Sequence, residues 1–236
     1  MTDDYTKALV SVVIPCYNRE KYIEAAIDSV LAQAYRPLEI IVVDDGSSDS
    51  SIEIIGRFGS PVTLIRQENA GAAAARNTGV QNSHGEFLSF LDSDDLWTDD
   101  KLAKQLDVMT QQPEIDLVFA HAEEFISPEL ADDVASSIRC REGAMPARVQ
   151  STMLIRQDAF LKVGLFDETL TIGEGVDWLA RANDAEIRSV VLPDVLLRRR
   201  LHETNIGITK KDMRQDYARA LKAALDRRRQ QQEASE

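Results

Sequence analysis

Along the first half of the chain the apolar positions alternate between two periods. "ALVSVVIP" (8–15), "LEIIVVDD" (38–45), "PVTLIRQ" (61–67) and "GEFLSFLD" (85–92) are short runs rich in β-branched and apolar residues, and each reads as a strand. Between the first two, "REKYIEAAIDSVLAQ" (19–33) sets Tyr22, Ile23, Ala26, Ile27, Val30 and Leu31 at helical spacing, with Asn18 placed as its cap. A second helix is expected after "GSSDS" (46–50), capped by Ser47, Ser48 or Asp49, and a third through "AGAAAARNTGVQNS" (70–83). "TDDKLAKQLDVMTQQ" (98–112) reads as helix and "IDLVFAHAEEFI" (115–126) as strand.

Strand and helix thus alternate four times, which predicts βαβ units: an α/β fold with a mostly parallel, Rossmann-like central sheet flanked by helices. In such sheets ligands bind outside the carboxyl ends of the strands. The chemically informative residues fall there: Pro15 to Asn18, Asp44 to Ser47, Asn69 to Gly71 and Asp92 to Asp95.

The second half is less regular. "SPELADDVASSIRCREGAMPAR" (127–148) reads as a long loop or broken helix, "VQSTMLIRQ" (149–157) as a strand and "QDAFLKVG" (157–164) as a short helix ending at Gly164. "GVDWLARAND" (175–184) is a further helix, and "EIRSVVLPDVLLRRRL" (186–201) is expected to form two strands broken at Pro193. No linker composition separates the halves. The expectation is one domain over 1–236: a lobe over about 9–125, a smaller lobe over about 126–208, and a helical tail over about 209–236. Basic residues flank the tail's apolar stripe but acidic ones interrupt its charged face. That suits packing on its own domain or a second subunit better than lying on a membrane.

Composition narrows the function classes. The 236 residues are 44% hydrophobic and 28% charged, which is ordinary for a globular protein, and the net charge of −13 opposes binding to nucleic acid. Cys16 and Cys140 lie far apart without metal-ligand spacing, as in a reduced cytoplasmic chain. No signal peptide and no run long enough to cross a bilayer is read from the sequence, so a cytoplasmic location, or a peripheral one at the inner membrane face, is expected.

The carboxylates of "FLSFLDSDDLWTDD" (87–100) then need an explanation. Like charges this close oppose folding unless water solvates them or a cation sits between. Asp-x-Asp after a strand supplies hard oxygen ligands, and Mg²⁺ or Mn²⁺ typically takes one or two carboxylates plus substrate phosphates. Taken alone the motif is unspecific. It stands, however, in series with "VSVVIPCYNREKYIEAAIDSVLAQ", "EIIVVDDGSSDSS" and "QENAGAAAARNTGV". In this order and spacing the four segments resemble the family-2 glycosyltransferases, an inverting group with the A-type nucleotide-binding fold, over about residues 9–125.

The resemblance implies transfer of a sugar from a nucleotide diphosphate sugar, with UDP indicated by Asp45, which matches the family position that reads a uracil edge. Pro15, Tyr17, Asp44 and Asp45 would hold the nucleoside. Asn69 and Gly71 precede a helix whose N-terminus can meet a diphosphate, and Arg76 can add a charge-assisted contact. Asp92 and Asp94 match the metal-binding pair, Asp92 lying also beside the nucleotide, with Mn²⁺ or Mg²⁺ as the cofactor. His202 matches a further metal ligand of some relatives. Trp97 is expected to pack beneath the acidic loop. Arg198, Arg199 and Arg200 alternate along a strand, so only part of that run can face a diphosphate.

One position departs from the pattern. The family's base usually belongs to a Glu-Asp pair before a helix; in "TIGEGVDWLARA" (171–182) its Asp is replaced by Gly175. Glu174 and Asp177 are the carboxylates left for that role, Glu174 being favoured. A catalytically degenerate nucleotide-sugar-binding protein is the alternative. The donor sugar and the acceptor (a sugar, lipid-linked, peptide or small molecule) are not legible.

Overall fold

The computed structural model describes residues 8–203, Asn205 and Lys222; the helical tail expected from about residue 209 lies outside that range but for Lys222. The first half runs β1 (Val10–Cys16), α1 (Ile23–Leu31), β2 (Leu38–Asp44), α2 (Ser51–Gly56), β3 (Val62–Arg66), α3 (Ala72–Gln81) and β4 (Phe87–Phe90). It continues through β5 (Leu96–Trp97), α4 (Lys101–Gln111) and β6 (Leu117–Ile126). The second half holds α5 (Asp132–Ser137), β7 (Met145–Ala147), a 3₁₀ turn (Gln150–Thr152), β8 (Leu154–Arg156), α6 (Gln157–Val163), α7 (Glu174–Asp184) and β9 (Ser189–Leu201).

The sheet order is β3-β2-β1-β4-β8-β6-β9-β5, with β7 paired to β6. Strands β1 to β4 are parallel to one another, as expected, and β9 is parallel to β6. Strand β8 runs antiparallel to both β4 and β6, so the sheet is mixed where the second half enters it.

Every residue of β1 is buried, as a strand covered on both faces requires. On one face α1 lays Ile23, Ala26, Ile27 and Val30 against Val12, Ile14 and Ile40. Each such aliphatic side chain contributes about 1.5–3 kcal/mol on full burial. On the other face Phe90, Phe160, Phe166 and Trp178 form an aromatic cluster that seats α6 and α7, with Phe160 stacked on Trp178 at 5.0 Å.

Several local expectations are corrected. Asn18 does not cap α1: it sits at φ 52°, and its Oδ1 accepts from the Ser48 N–H at 2.8 Å, tying the β1 loop to the β2 loop. Helix α2 spans six residues after Ser50, and Asp49 supports it by accepting from the Ser51 N–H at 3.0 Å. The segment 149–157 is not one strand but opens with the 3₁₀ turn. Pro193 does not break β9. The strand bulges there, pairing Leu192 with Ala120 and Val195 with His121, so the proline's missing N–H falls outside the ladder.

A polar seam joins the two halves. Ser151 Oγ accepts from the Asp92 N–H at 3.0 Å, and Ser151 O accepts from Trp97 Nε1 at 2.8 Å. Trp97 thus packs beneath the acidic loop as expected. Beside it Lys101 is wholly buried, its Nζ 3.9 Å from the centre of a Trp97 ring and bonded to Ser89 Oγ and Gln105 Oε1. Burial holds its pKa well below the ordinary lysine value of 10.5.

Candidate active site

A cleft of about 530 Å³ opens at the carboxyl ends of β1, β2 and β4, within the usual size of a ligand site. Of the sequence-derived candidates it gathers Pro15, Tyr17, Asp45, Asn69, Gly71, Arg76, Asp92, Asp94 and Glu174. Their convergence from four strand ends and one helix start is a product of the fold, since they span 160 positions of sequence from Pro15 to Glu174. Asp44, Asp177 and His202 do not line it.

Asp45 is built into a rigid mount. Its Oδ1 accepts from Gln67 Nε2 at 2.7 Å and the Ala70 N–H at 2.9 Å, and its Oδ2 accepts from the Gly71 N–H at 2.8 Å. Asn69 Nδ2 bonds the Asp45 carbonyl. Gly71 adopts φ 92°, a conformation a side chain would strain, and that turn brings the two loop N–H groups onto one carboxylate. Two carboxylate oxygens offer about four acceptor positions, so about one stays open on Oδ2. Asp44 instead lies beneath the cleft floor, buried, accepting from the Ser47 N–H at 3.2 Å. Tyr17 is half exposed at the mouth.

Arg76 is neither a surface residue nor directed at open space. It is buried and bridges two carboxylates, Nη2 to Asp92 Oδ1 at 2.6 Å and Nη1 to Glu174 Oε1 at 2.8 Å. Burial works against its charge, but Asp92 and Glu174 outweigh that. The guanidinium fork thereby fixes both acids across the cleft. Gln150 Nε2 approaches the same Glu174 Oε1 at 3.4 Å. Neither Glu174 Oε2 nor Asp92 Oδ2 has a partner among the described residues.

Asp94, two residues on, has other neighbours. Its Oδ2 accepts from Arg19 Nε at 3.2 Å and faces His202 Nε2 at 3.1 Å. Burial alone would raise the carboxyl; the His202 hydrogen bond and the Arg19 charge outweigh it and hold it below the ordinary value. His202 is buried, stacked on Tyr22 at 4.5 Å, and lines a second cavity of about 300 Å³ that shares Arg19 with the main cleft. It reaches the acidic loop through Asp94. Asp95 borders the cleft but is itself buried: burial, then Asp94 and Asp92, push its carboxyl well up, and its Oδ1 accepts from the Arg200 N–H at 2.8 Å.

Asp177 is buried and paired with Arg181 at 2.9 Å, one turn along α7. Its place in the first turn is that of a helix-start charge. Of the basic run only Arg199 lines the cleft. Arg198 pairs with Glu123, and Arg200 holds the Asp94 carbonyl through Nε. Cys16 lines the cleft as well, but burial pushes its thiol up to about 12, which leaves no thiolate for nucleophilic work.

Sequence reading missed Arg19, Gln150 and Ser151. Arg19 follows directly on the Pro15–Asn18 strand end, and that adjacency is a signal for it. Gln150 and Ser151 carry no such signal, because only the return of β8 beside β4 brings Gln150 to the cleft and Ser151 under the acidic loop.

Could this set hold a divalent cation? Asp94 and His202 already converge, and Asp92, on the same loop, keeps one oxygen without a partner among the described residues; carboxylate oxygen and imidazole nitrogen both suit Mn²⁺. Among the described residues no three His, Cys, Asp or Glu side chains form a cage by themselves.

The comparisons with known proteins bear on family and fold. The profile described as glycosyl transferase family 2 matches residues 11–164. An uncharacterized glycosyltransferase of Rickettsia typhi is 32% identical over 225 residues, covering 89% of this chain and 69% of its own. Among solved structures, S. aureus TarS 1-349 in complex with UDP-GlcNAc superposes with a TM-score of 0.74 at 22% identity, over 91% of this chain and 65% of that one. The mannosyltransferase PcManGT from Pyrobaculum calidifontis, in complex with GDP-Man and Mn²⁺, gives 0.66 at 22% identity, over 85% and 59%. The chain therefore spans about three fifths of those solved chains, and it shares their A-type fold.

Proposed function

The chain belongs to glycosyl transferase family 2, and we propose that it moves a sugar from a nucleotide diphosphate sugar, a UDP-sugar, onto an acceptor with inversion and with the help of a divalent metal. The observation that carries this is the single cleft in which Asp45, the start of α3, Asp92, Asp94 and Glu174 meet. TarS with UDP-GlcNAc and PcManGT with Mn²⁺ support the choice of UDP and of the metal.

In this reading Asp45 receives a base N–H on its open lone pair while Tyr17 offers a stacking face. The N-terminus of α3, freed by Gly71, meets the diphosphate. Each carboxylate–phosphate pair at about 4 Å would cost roughly 4 kcal/mol at an effective dielectric of 20. Asp94 and Asp92, with His202 behind, would hold the cation, which when bound offsets that repulsion and the charge gathering on the departing diphosphate. Arg76 keeps the two walls in register. Glu174 Oε1 is taken by Arg76, so Oε2 receives the acceptor proton. We read the chain as one domain whose second lobe shapes the acceptor side.

A titration of UDP by calorimetry, with Mn²⁺ and again with EDTA, tests the donor half. Binding only with Mn²⁺ is expected; equal binding in EDTA would remove the metal from the reading. Gly175 favours a second reading, a nucleotide-sugar-binding protein without turnover. UDP release from a bound UDP-sugar separates the two.

A further inference from the structure

Gly175 has the ordinary backbone of the first turn of α7; unlike Gly71 and Gly173, both at positive φ, it is not glycine because of its conformation. Glycine in a helix costs about 0.5–1 kcal/mol relative to alanine, and an acidic residue at this helix start would be favoured by the dipole. What stands against it is the present placement of the Gln150 side chain. A Cβ at position 175 would lie 2.1 Å from Gln150 Nε2 and 2.7 Å from Gln150 Cδ. The Gln150 amide therefore fills the volume that the Cβ of an acid, or of any other side chain, at 175 would need, and it would have to swing away to admit one. From its present place the amide approaches Glu174 Oε1, already held by Arg76, which in turn holds Asp92.

We propose that Gln150 is a positioning residue: its amide takes the place of the missing acid at 175 and, with Arg76, sets Glu174 so that Oε2 faces the acceptor. This rests on the reading of Glu174 as the base. Gly175 and Gln150 form one unit in which either an acid at 175 or this placement of Gln150 is allowed, but not both. The loss of the usual Asp is then an exchange and not a decay of the site.

The test uses the full chain in four forms: parent, Gly175→Asp, Gln150→Ala and the double variant. Melting temperature, Mn²⁺-dependent UDP binding and the acceptor-free release of UDP from UDP-GlcNAc are measured for each. Gln150→Ala should lower the turnover number on the order of tenfold to a hundredfold, as a misplaced group does, with the donor KM within about twofold of the parent. Gly175→Asp alone should lower the melting temperature by about 2–4 °C and lower turnover. The double variant should regain most of both, since the acid then has room.

Unchanged turnover in Gln150→Ala, or a fall matched by an equal rise in KM, overturns the positioning role. Effects of the two substitutions on melting that simply add overturn the exchange. If the parent binds UDP but releases none from UDP-GlcNAc, the transfer reading with that donor has failed; the melting cycle alone then decides, and coupling between the two positions upholds the exchange.

Discussion

Strands β1 to β4 reach the cleft side by side and parallel, each delivering its residues at its own carboxyl end. The facing wall is assembled differently, from a 3₁₀ turn, the first turn of α7 and the end of a bulged strand, none of them neighbours in sequence. On the first wall the mounts are local: Asp45 is fixed by the loop 67–71, beside its own strand end. On the second wall the main mounts are borrowed. Glu174 is held by Arg76 from α3, Ser151 by Asp92 and Trp97, and His202 by Tyr22 and Asp94. The first wall thus has mounts of its own, whereas the second, beyond its own Gln150–Glu174 and His202–Asn205 contacts, leans on the first for its geometry.

Substitutions can break that dependence at graded depth. Asp94→Ala touches both walls, since it removes the oxygen shared by Arg19 and His202. Cation-dependent UDP binding should disappear by calorimetry while the far-ultraviolet circular dichroism stays that of the parent; retained binding would end the metal reading. Glu174→Gln removes only the acid of the second wall. Donor binding should persist and transfer should fall about 10²–10⁴-fold, and full activity would send the role elsewhere.

Arg76→Met cuts the bridge itself. Breaking a buried pair costs about 3–5 kcal/mol, so urea unfolding should shift by that order, and the second wall should lose function before the first. UDP binding that fell as far as transfer would show that the walls are not separable in this way. Ser151→Ala is the mildest cut, removing one hydrogen bond of the seam. About 1 kcal/mol is expected, read as a melting temperature lower by about 2–4 °C.

The same division explains what could be read from the sequence. Strands β1 to β4 and β6, with the helices among them, were legible because each carries its own period, and the motif residues of β1 to β4 sit where a parallel sheet must present them; the two-residue β5 was not. Glu174 was legible only through the resemblance around it. Asp177, in the same helical turn, needed the structure to show it paired with Arg181 and outside the cleft. Arg76 was legible as a site residue but not in its role, because its two partners lie 16 and 98 positions away. Gln150 was not legible at all. Nothing in "VQSTMLIRQ" announces an amide that stands in for a carboxylate 25 residues downstream.

Lys101 carries a consequence of another kind. Sealed under Trp97 with its pKa well below 10.5, it is held neutral over an interval in which the unfolded chain would carry the proton. Within that interval unfolding takes up a proton, so stability rises with pH up to about 10.5 and declines as pH falls toward the folded-state value. A chain with a net charge of −13 would otherwise be expected to suffer from alkali through self-repulsion. One buried amine beneath the acidic loop works against that trend, and Lys101→Met, with no proton to bind, should lose its share of the slope in a pH series of urea unfolding.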